Sequence, residues 1–457
     1  MALDFSTLSP DELLAAESAA LTMRALLDAV KTAPHGHGMA TVEAVLQDKG
    51  FAHLRTLLTA AMTSHAEAQK KSGTCSRPCA CGKNASFKRC KPKTILSSVG
   101  HVAVDRRYYA CRHCKAKQTP WEVWAGVTGP HRVTPHARRM IVLAGSGCSY
   151  DEAADKLREL TPLRVSDDVV RGICDKEGIA IGDWVNSGPA VPRQTFMKAK
   201  GVVEFSTDGL KLNTVEGWRE MRLSVLGKRE PVAAATAGQW DDRPLEAPTT
   251  RMAICAIAPC AIIGDSWKRL AGALGLGEDQ ALSVIADGAK WIWSQAAKHF
   301  TGKDVQWVVD VYHLMLYLHA AAAELGKDAA EQWVGRRVVD LIDMGGPKFI
   351  EHLNATGPPA STTATAAENA PTPEAWKGLL HYLEENRDSL WYGRRLKEGL
   401  PIGSGLIEGG CKNILAKRLK LNSARWCVDR AEHMGAIRCL QYSGMWEAYW
   451  ESQKAAA

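Results

Sequence analysis

Three acidic residues stand apart from the chain's other carboxylates by the company they keep. Asp208 closes an alternating stretch, Val202-Val203-Glu204-Phe205-Ser206-Thr207-Asp208-Gly209, and Asp287 closes an apolar run, Ser283-Val284-Ile285-Ala286-Asp287-Gly288. Glu408 follows a glycine turn, Pro401-Ile402-Gly403-Ser404-Gly405-Leu406-Ile407-Glu408. Two carboxylates at strand ends and one in the first turns of a late helix can converge at one edge of a sheet. Such a trio can hold two divalent metals ~3.5–4 Å apart for in-line attack on a phosphodiester. Mg²⁺, or Mn²⁺ in its place, suits the site, because Mg²⁺ is usually held by one or two carboxylates together with substrate oxygens and water. Either Asp alone says little, since Asp-Gly is above all a turn dipeptide. The three together carry the chemistry.

Just past the run Val305-Gln306-Trp307-Val308-Val309 come Asp310 and His313, an Asp-x-x-His unit expected close to the same edge. His313 is placed to orient a phosphate or a DNA strand, with a capping Asp and a satisfied histidine as the plainer reading. Asp310 is also an alternative to Asp287 as the second carboxylate. After Glu408 the chain turns basic, with Lys412, Lys417, Arg418, Lys420, Arg425 and Arg430. Lys412 falls one turn beyond Glu408 on the same helix face. Lys412, Lys417, Arg418, Lys420 and Arg425 are expected to meet phosphates. Trp426 is the candidate to stack on an unpaired base, although core packing is the default for a Trp in a chain that has fifteen.

A second basic segment lies upstream. Between Lys70 and Lys117 there are thirteen Lys or Arg and a single acid, Asp105. Two basic stretches in a chain of net charge +7 point to a polyanion touched at more than one place. Six of the thirteen cysteines crowd into Cys75–Cys114, which fits one metal site in a reducing compartment better than a disulfide framework. Thr94–Val99 and Val102–Tyr109, with Gly100-His101 between them, read as a β-hairpin between two cysteine knuckles, the plan of a zinc ribbon. Four soft ligands satisfy tetrahedral Zn²⁺, and so small a unit has too little core to fold without it. Cys111 and Cys114 have the C-x₂-C spacing. The first pair is irregular; Cys79 and Cys81 are preferred, Cys75 is the substitute, and Cys90 and His113 rank lower.

The elements that must position these groups follow from pattern. Ser9, Pro10 and Glu12 form a helix-opening capping box, and residues 1–70 are mostly helical. Residues 71–130 hold the ribbon. Residues 131–195 hold short helices, one capped by Ser149 and one by Ser166 (Asp167–Lys176), an arrangement like a helix-turn-helix DNA reader. The acidic start Asp167-Asp168 suits a helix dipole better than a phosphate. From 200 to 313 the order is βββαβαβ: strands Val202–Phe205, Arg219–Leu226 and Met252–Ile263, a helix Ser266–Leu274, the strand ending at Asp287, a helix Trp291–Phe300 and the strand ending at Asp310. That is a mixed five-stranded sheet in an α+β multidomain chain. Residues 314–400 are helical around an irregular, Pro-, Thr- and Ala-rich tract at 354–375, expected to be disordered. Residues 401–457 are helical and return Glu408 to the sheet, with Ser404 as the expected N-cap.

This layout resembles the ribonuclease H-like core of DDE transposases. Several stretches are similar to bacterial insertion-sequence transposases of the ISKra group: Thr207-Asp-Gly209, Glu216-Gly-Trp-Arg-Glu-Met-Arg222, Ala286-Asp-Gly-Ala-Lys-Trp-Ile-Trp293, Val309-Asp-Val-Tyr-His313, Leu400-Pro-Ile-Gly-Ser-Gly405 and Arg425-Trp426. The resemblance spans roughly residues 75 to 450. It implies that Asp208, Asp287 and Glu408 are the metal-binding triad, and that 314–400 is a helical insertion between the fifth strand and the acidic helix. It further implies cleavage and joining of double-stranded DNA at the inverted repeats of the element, by a homo-oligomer that holds two ends. A DNA-binding regulator that has lost transposition, and a nuclease of the same fold, are the rival expectations. The N-terminus lacks the basic start and apolar core of a signal peptide, and the run Met252–Ile263 is too short to span a bilayer. A cytoplasmic protein without membrane attachment is therefore expected.

Overall fold

The computed structural model describes residues 8–127, 132–277, 280–301, 304–359 and 373–455. The chain forms two compact units, Met1–Cys174 with Trp450–Ala457, and Asp175–Tyr449.

The first unit opens with two long helices, α1 (Pro10–Thr32) and α2 (Gly38–Ser72). The capping box is present: Ser9 Oγ accepts from Glu12 N, and Glu12 reaches back to Ser9 N at 2.7 Å. A four-stranded antiparallel sheet follows, from β1 (Ser76–Pro78), β2 (Asn84–Ser97), β3 (Gly100–Cys111) and β4 (Lys117–Gln118), in that order. The β2–β3 hairpin turns at Ser98-Val99 rather than at Gly100-His101, because Ser97 pairs with Gly100. Ser97 Oγ makes the turn by donating to Gly100 O and accepting from Val99 N. Ile95, Val102 and Val104 of this hairpin pack with Ala66 of α2 and with Trp121 of α3 (Pro120–Trp124). Helices α4 (Pro135–Gly147) and α5 (Tyr150–Leu160) complete the unit, α5 capped by Ser149. Helix α6 (Asp167–Asn186), capped by Ser166, runs ten residues past the expected end at Lys176.

The second unit is built on a mixed five-stranded sheet in the order β7-β6-β5-β8-β9. After α7 (Ala190–Lys198) come β5 (Val202–Thr214), β6 (Gly217–Arg229), β7 (Thr250–Ala256), α8 (Cys260–Leu274), β8 (Leu282–Ala286), α9 (Lys290–His299) and β9 (Val305–Val309). β5, β8 and β9 are parallel, and β6 is antiparallel to both β5 and β7. The boundaries depart furthest from expectation at two joints. The third strand ends at Ala256 and α8 starts at Cys260, because Pro259 cannot donate to a ladder and sits at the helix N-cap instead. The first strand does not end at Asp208. It runs on to Thr214 and turns at Gly217, where φ is +96°.

Phe205 packs edge-on against Trp267 of α8 and Phe300 at 4.9 and 5.0 Å, which fixes the α8–α9 face of the sheet. Alternation along β5 turns Ser206 and Asp208 to the other face. Beyond β9 lie α10 (Val311–Ala321), α11 (Lys327–Met344), α12 (Gly346–Thr356), α13 (Pro373–Glu385) and α14 (Tyr392–Lys397), which share an apolar core with the ends of β8 and β9. The expected irregular tract 354–375 is helical at both ends, and 360–372 lies outside the described residues. The chain then returns through α15 (Gly405–Gly410), a π-helical turn (Cys411–Ala416) and α16 (Lys417–Leu419) to α17 (Val428–Tyr442) and α18 (Trp446–Ala455).

Candidate functional site

β8 pairs with β5 only along Val203–Phe205, so β5 overruns the end of its neighbour. Asp208 stands on that overhang, paired across the hairpin with Leu223. A Cβ on Gly209 would meet the flexible Glu220 side chain at 2.5 Å, which marks a close approach across the hairpin. Asp287 follows β8 directly, in a true Asp-Gly turn: its Oδ1 accepts from Ala289 N at 2.8 Å, and Gly288 has φ +87°. Asp310 follows β9 and caps α10, accepting from Tyr312 N at 3.1 Å. Helix α15 brings Glu408 to the same place, and its Gly410 lies so close to β6 that a Cβ would meet Leu223 at 2.9 Å.

The result is a cavity of about 330 Å³ lined by Asp208, Asp287, Asp310, His313 and Glu408, with Tyr312 and Ser404 among its walls. Among the described residues no Lys or Arg lines it, and four carboxylates share one histidine. Burial above all, then the neighbouring Asp287, pushes Asp208 above the ordinary aspartate range, against the opposing pull of Gly209 N–H and His313. Partial burial, then Asp310 and Asp208, raises Glu408 in the same way. Hard oxygen donors with surplus negative charge are the donor set a divalent cation satisfies. Their oxygens are not yet closed into a tight shell: among the described residues, only a group of cysteines brings three or more ligand atoms within 4.8 Å of one another.

Asp310 is committed elsewhere. It is 5% exposed, its Oδ1 also accepts from Ser404 N at 3.2 Å, and its Oδ2 accepts from Ser404 Oγ at 2.6 Å. Ser404 therefore makes no side-chain cap on α15, contrary to expectation; its hydroxyl is used to tie the glycine turn to the end of β9. Gly403 in that turn leaves room for the Tyr312 ring, which a Cβ would meet at 2.7 Å.

Four further residues brace the elements that carry the site but were not singled out by the sequence, and of the four only Tyr312 lines the cavity. Tyr382 donates to Asp287 O at 2.7 Å and stacks on Tyr317 at 4.0 Å. Tyr312 donates to Asp241 at 3.0 Å. Arg395, 3% exposed, donates to Pro401 O, Ser283 Oγ and Gln306 Oε1, holding β8, β9 and the turn before α15 together. Cys411 Sγ lies 4.0 Å from Asp208 Oδ2, its thiol pushed up to about 12 by burial and then by Asp208 and Glu408. Only Tyr312 carried a signal, inside Val309-Asp-Val-Tyr-His313; the others come from distant helices and a helical irregularity that periodicity does not show.

The basic residues after Glu408 divide. Lys412, Lys417, Lys420 and Arg425 are exposed. Lys412 does not line the cavity. Arg418 and Trp426, expected at the DNA surface, are 2% and 7% exposed. The guanidinium lies 4.9 Å over the indole, whose Nε1 donates to Leu419 O at 3.1 Å. Packing takes both, since Trp426 also bridges to Thr214 at the tip of the β5–β6 hairpin.

In the first unit Cys79, Cys81, Cys111 and Cys114 form one cluster, with all four Sγ atoms within 4.8 Å. Cys79–Cys114 is 3.5 Å and Cys81–Cys111 is 3.7 Å. Tetrahedral zinc with Zn–S of ~2.3 Å requires S···S of ~3.8 Å, so this group could hold a metal such as zinc. Backbone N–H groups of Cys114 and His113 are directed at Cys111, whose thiol falls to about 6. The cluster includes neither Cys75, Cys90 nor His113. Among the described residues no helix is long and apolar enough to cross a membrane. No protein-family model matches the chain, and no curated protein matches it.

Proposed function

We propose that this protein is a DDE transposase with a ribonuclease H-like catalytic domain, which cuts and rejoins double-stranded DNA at the ends of its own insertion sequence. The single observation that carries the reading is the convergence of Asp208, Asp287 and Glu408 in one cavity that, among the described residues, no Lys or Arg lines. The strand order β7-β6-β5-β8-β9 supports it, with the acids on the first strand, after the fourth and on a late helix. The α10–α14 segment then corresponds to the helical insertion. In the first unit the cysteine group is a zinc ribbon that, with α4–α6 as a helix-turn-helix-like reader, grips the end DNA. Two ends call for a homo-oligomer.

In this reading Asp208, Asp287 and Glu408 hold Mg²⁺ or Mn²⁺. When bound there, such ions would supply a lowered pKa for the attacking water or 3′-OH and charge stabilisation at the leaving oxygen. The chain's own residues prepare that site. The short reach of β8 opens the sheet beside Asp208. Asp310 and Ser404 fix the turn that aims Glu408, and Tyr382 pins the backbone of Asp287. His313 orients the scissile phosphate, and Lys412, Lys417, Lys420 and Arg425 follow the backbone of the DNA.

The test is metal-dependent cleavage and strand transfer on DNA carrying the sequences that flank the gene, comparing wild type with Asp208→Ala, Asp287→Ala and Glu408→Ala. Each variant is expected to remain folded and to lose both reactions. Binding by the wild type without cleavage under any divalent metal would favour a regulator. Cleavage without joining would favour a nuclease of the same fold.

A further inference from the structure

One edge of the five-stranded sheet is only partly covered. β7 is its outermost strand and pairs with β6 alone. Ala253 N–H points away from β6 and donates to Ser443 Oγ, just past the end of α17, at 2.9 Å. Ile257 N–H, beyond the end of β7, donates to Glu432 Oε1 of α17, also at 2.9 Å. Along an antiparallel strand every second residue turns both its N–H and its C=O away from the neighbour, so those of Cys255 face outward too. Cys255 N–H has no protein acceptor among the described residues. Side chains from the α17 segment thus take the place of a sixth strand at two positions and leave the position between them unpaired. A cavity of about 220 Å³ lies there, lined by every residue from Met252 to Ala256 and wholly within the second unit. Side chains of a strand alternate between its faces, so five consecutive residues can line one cavity only at the strand's edge. Its walls are apolar, from Ile181 and Val185 of α6, Ile263 and Leu270 of α8 and Leu440 of α17. The charges at the cavity are Arg222 and Arg269, and among the described residues no Asp or Glu lines it. Arg222 gives its Nη groups to Ala258 O and Glu220, while its buried Nε has no partner. Arg269 is exposed and forms no ion pair among the described residues.

We propose that this edge binds the C-terminal end of an extended peptide whose last side chain is large and apolar. A peptide carbonyl accepts from Cys255 N–H and a peptide N–H donates to Cys255 O, the two bonds an added antiparallel strand makes with one residue. The last side chain enters the apolar cavity. A dry cavity of ~150 Å³ holds benzene, so this one has room for a leucine or phenylalanine side chain. The terminal carboxylate meets Arg269 and supplies the acceptor that Arg222 Nε lacks. Main-chain bonds then give affinity, while the cavity and the arginines select a free apolar terminus. A fatty or aromatic acid has the charge and the apolar body but no amide to pair with Cys255. A long strand running through the edge is opposed by Ser443 and Glu432, which already take the N–H groups on either side. Only one residue's pair of bonds is left, which suits a chain end.

The inference stands apart from the carboxylate chemistry, and its test uses the full chain without DNA. The protein, labelled with nitrogen-15 cysteine, is titrated with N-acetyl-Ala-Val-Leu carrying a free carboxylate. Cys255→Ser identifies the Cys255 amide signal by its loss. That amide is expected to shift downfield on titration and to exchange with solvent about tenfold more slowly. The same peptide with an amidated C-terminus should bind about tenfold more weakly, because a charge-assisted bond is lost. Arg269→Gln, at an exposed position, should weaken the acid by about the same factor and leave the amidated peptide unchanged. Ala273→Leu, which fills part of the cavity, should weaken both. A Cys255 amide that does not move, octanoate binding where the peptide does not, or an Arg269→Gln protein that keeps the full preference for the free acid would each overturn the proposal.

Discussion

Replacing Asp310 by asparagine separates a residue that holds the site together from one that holds metal. Asp310 Oδ1 accepts from two backbone N–H groups and Oδ2 accepts from Ser404 Oγ at 2.6 Å, all at a position 5% exposed. Asparagine keeps the oxygen that faces the two N–H groups, and its amide can donate to Ser404 Oγ in place of accepting. What is lost is the charge on the acceptor. Hydrogen bonds to charged groups contribute about 1.5–3 kcal/mol against about 0.5–1.5 for neutral ones. Across three bonds the loss is roughly 3 kcal/mol, offset in part because a negative charge beside Glu408 is removed. A net loss of roughly 1–2 kcal/mol corresponds to a Tm lower by about 2–8 °C. If Asp310 acts only by positioning the turn before Glu408, activity should fall by about tenfold, equivalent to about 1.4 kcal/mol. Asp287→Asn should instead cost roughly a thousandfold while leaving Tm nearly unchanged. Paired thermal melts and strand-cleavage rates decide it. An Asp310→Asn protein as inactive as Asp287→Asn, with an unshifted Tm, would refute the reasoning and make Asp310 a ligand.

Three other outcomes are expected. If the four-cysteine group takes up zinc, Cys81→Ser should abolish that uptake, measured by elemental analysis, and should loosen the β1–β4 sheet in near-ultraviolet circular dichroism, whereas Cys90→Ser should change neither. Because Asp208 and Glu408 are both raised in the folded protein, the fold holds more protons than the unfolded chain between their ordinary and raised values. Their contribution to metal-free stability therefore falls as pH rises through that window, and Mg²⁺ should flatten the slope, which thermal melts across pH would show. Lys412→Ala, Lys417→Ala and Lys420→Ala combined should reduce the salt dependence of DNA binding by up to about 0.9 per lost phosphate contact. Arg418→Ala, at a buried position, should lower Tm and leave the salt slope alone.

The sequence by itself determined the parts of this protein that depend on neighbours in the chain. The capping box at Ser9 and Glu12 satisfies donors a few residues away, and it formed as read. The alternation of Val202–Phe205 and the apolar runs before Asp287 and Asp310 marked the strands of the mixed sheet, because burial on one or both faces writes itself into local pattern. Cysteine spacing led to Cys79, Cys81, Cys111 and Cys114, since soft ligands are rare and their clustering is hard to produce otherwise. Where a local signal had two physical meanings, only the tertiary structure chose. Asp208-Gly209 read as the end of a strand, with a turn as the background reading of the dipeptide, yet it lies inside β5, paired across the hairpin with Leu223 and Arg222. Ser404 read as a helix cap, yet its hydroxyl belongs to Asp310, nearly a hundred residues earlier. Arg418 read as a phosphate contact and Trp426 as a base-stacking candidate with core packing as its default, and the structure buries each against the other. A side chain's charge or ring is visible in a sequence, but which way it faces is set by elements that pack from far along the chain. The carboxylate cavity itself is such a product: it exists because β8 stops short of β5 and α15 fills the space that remains.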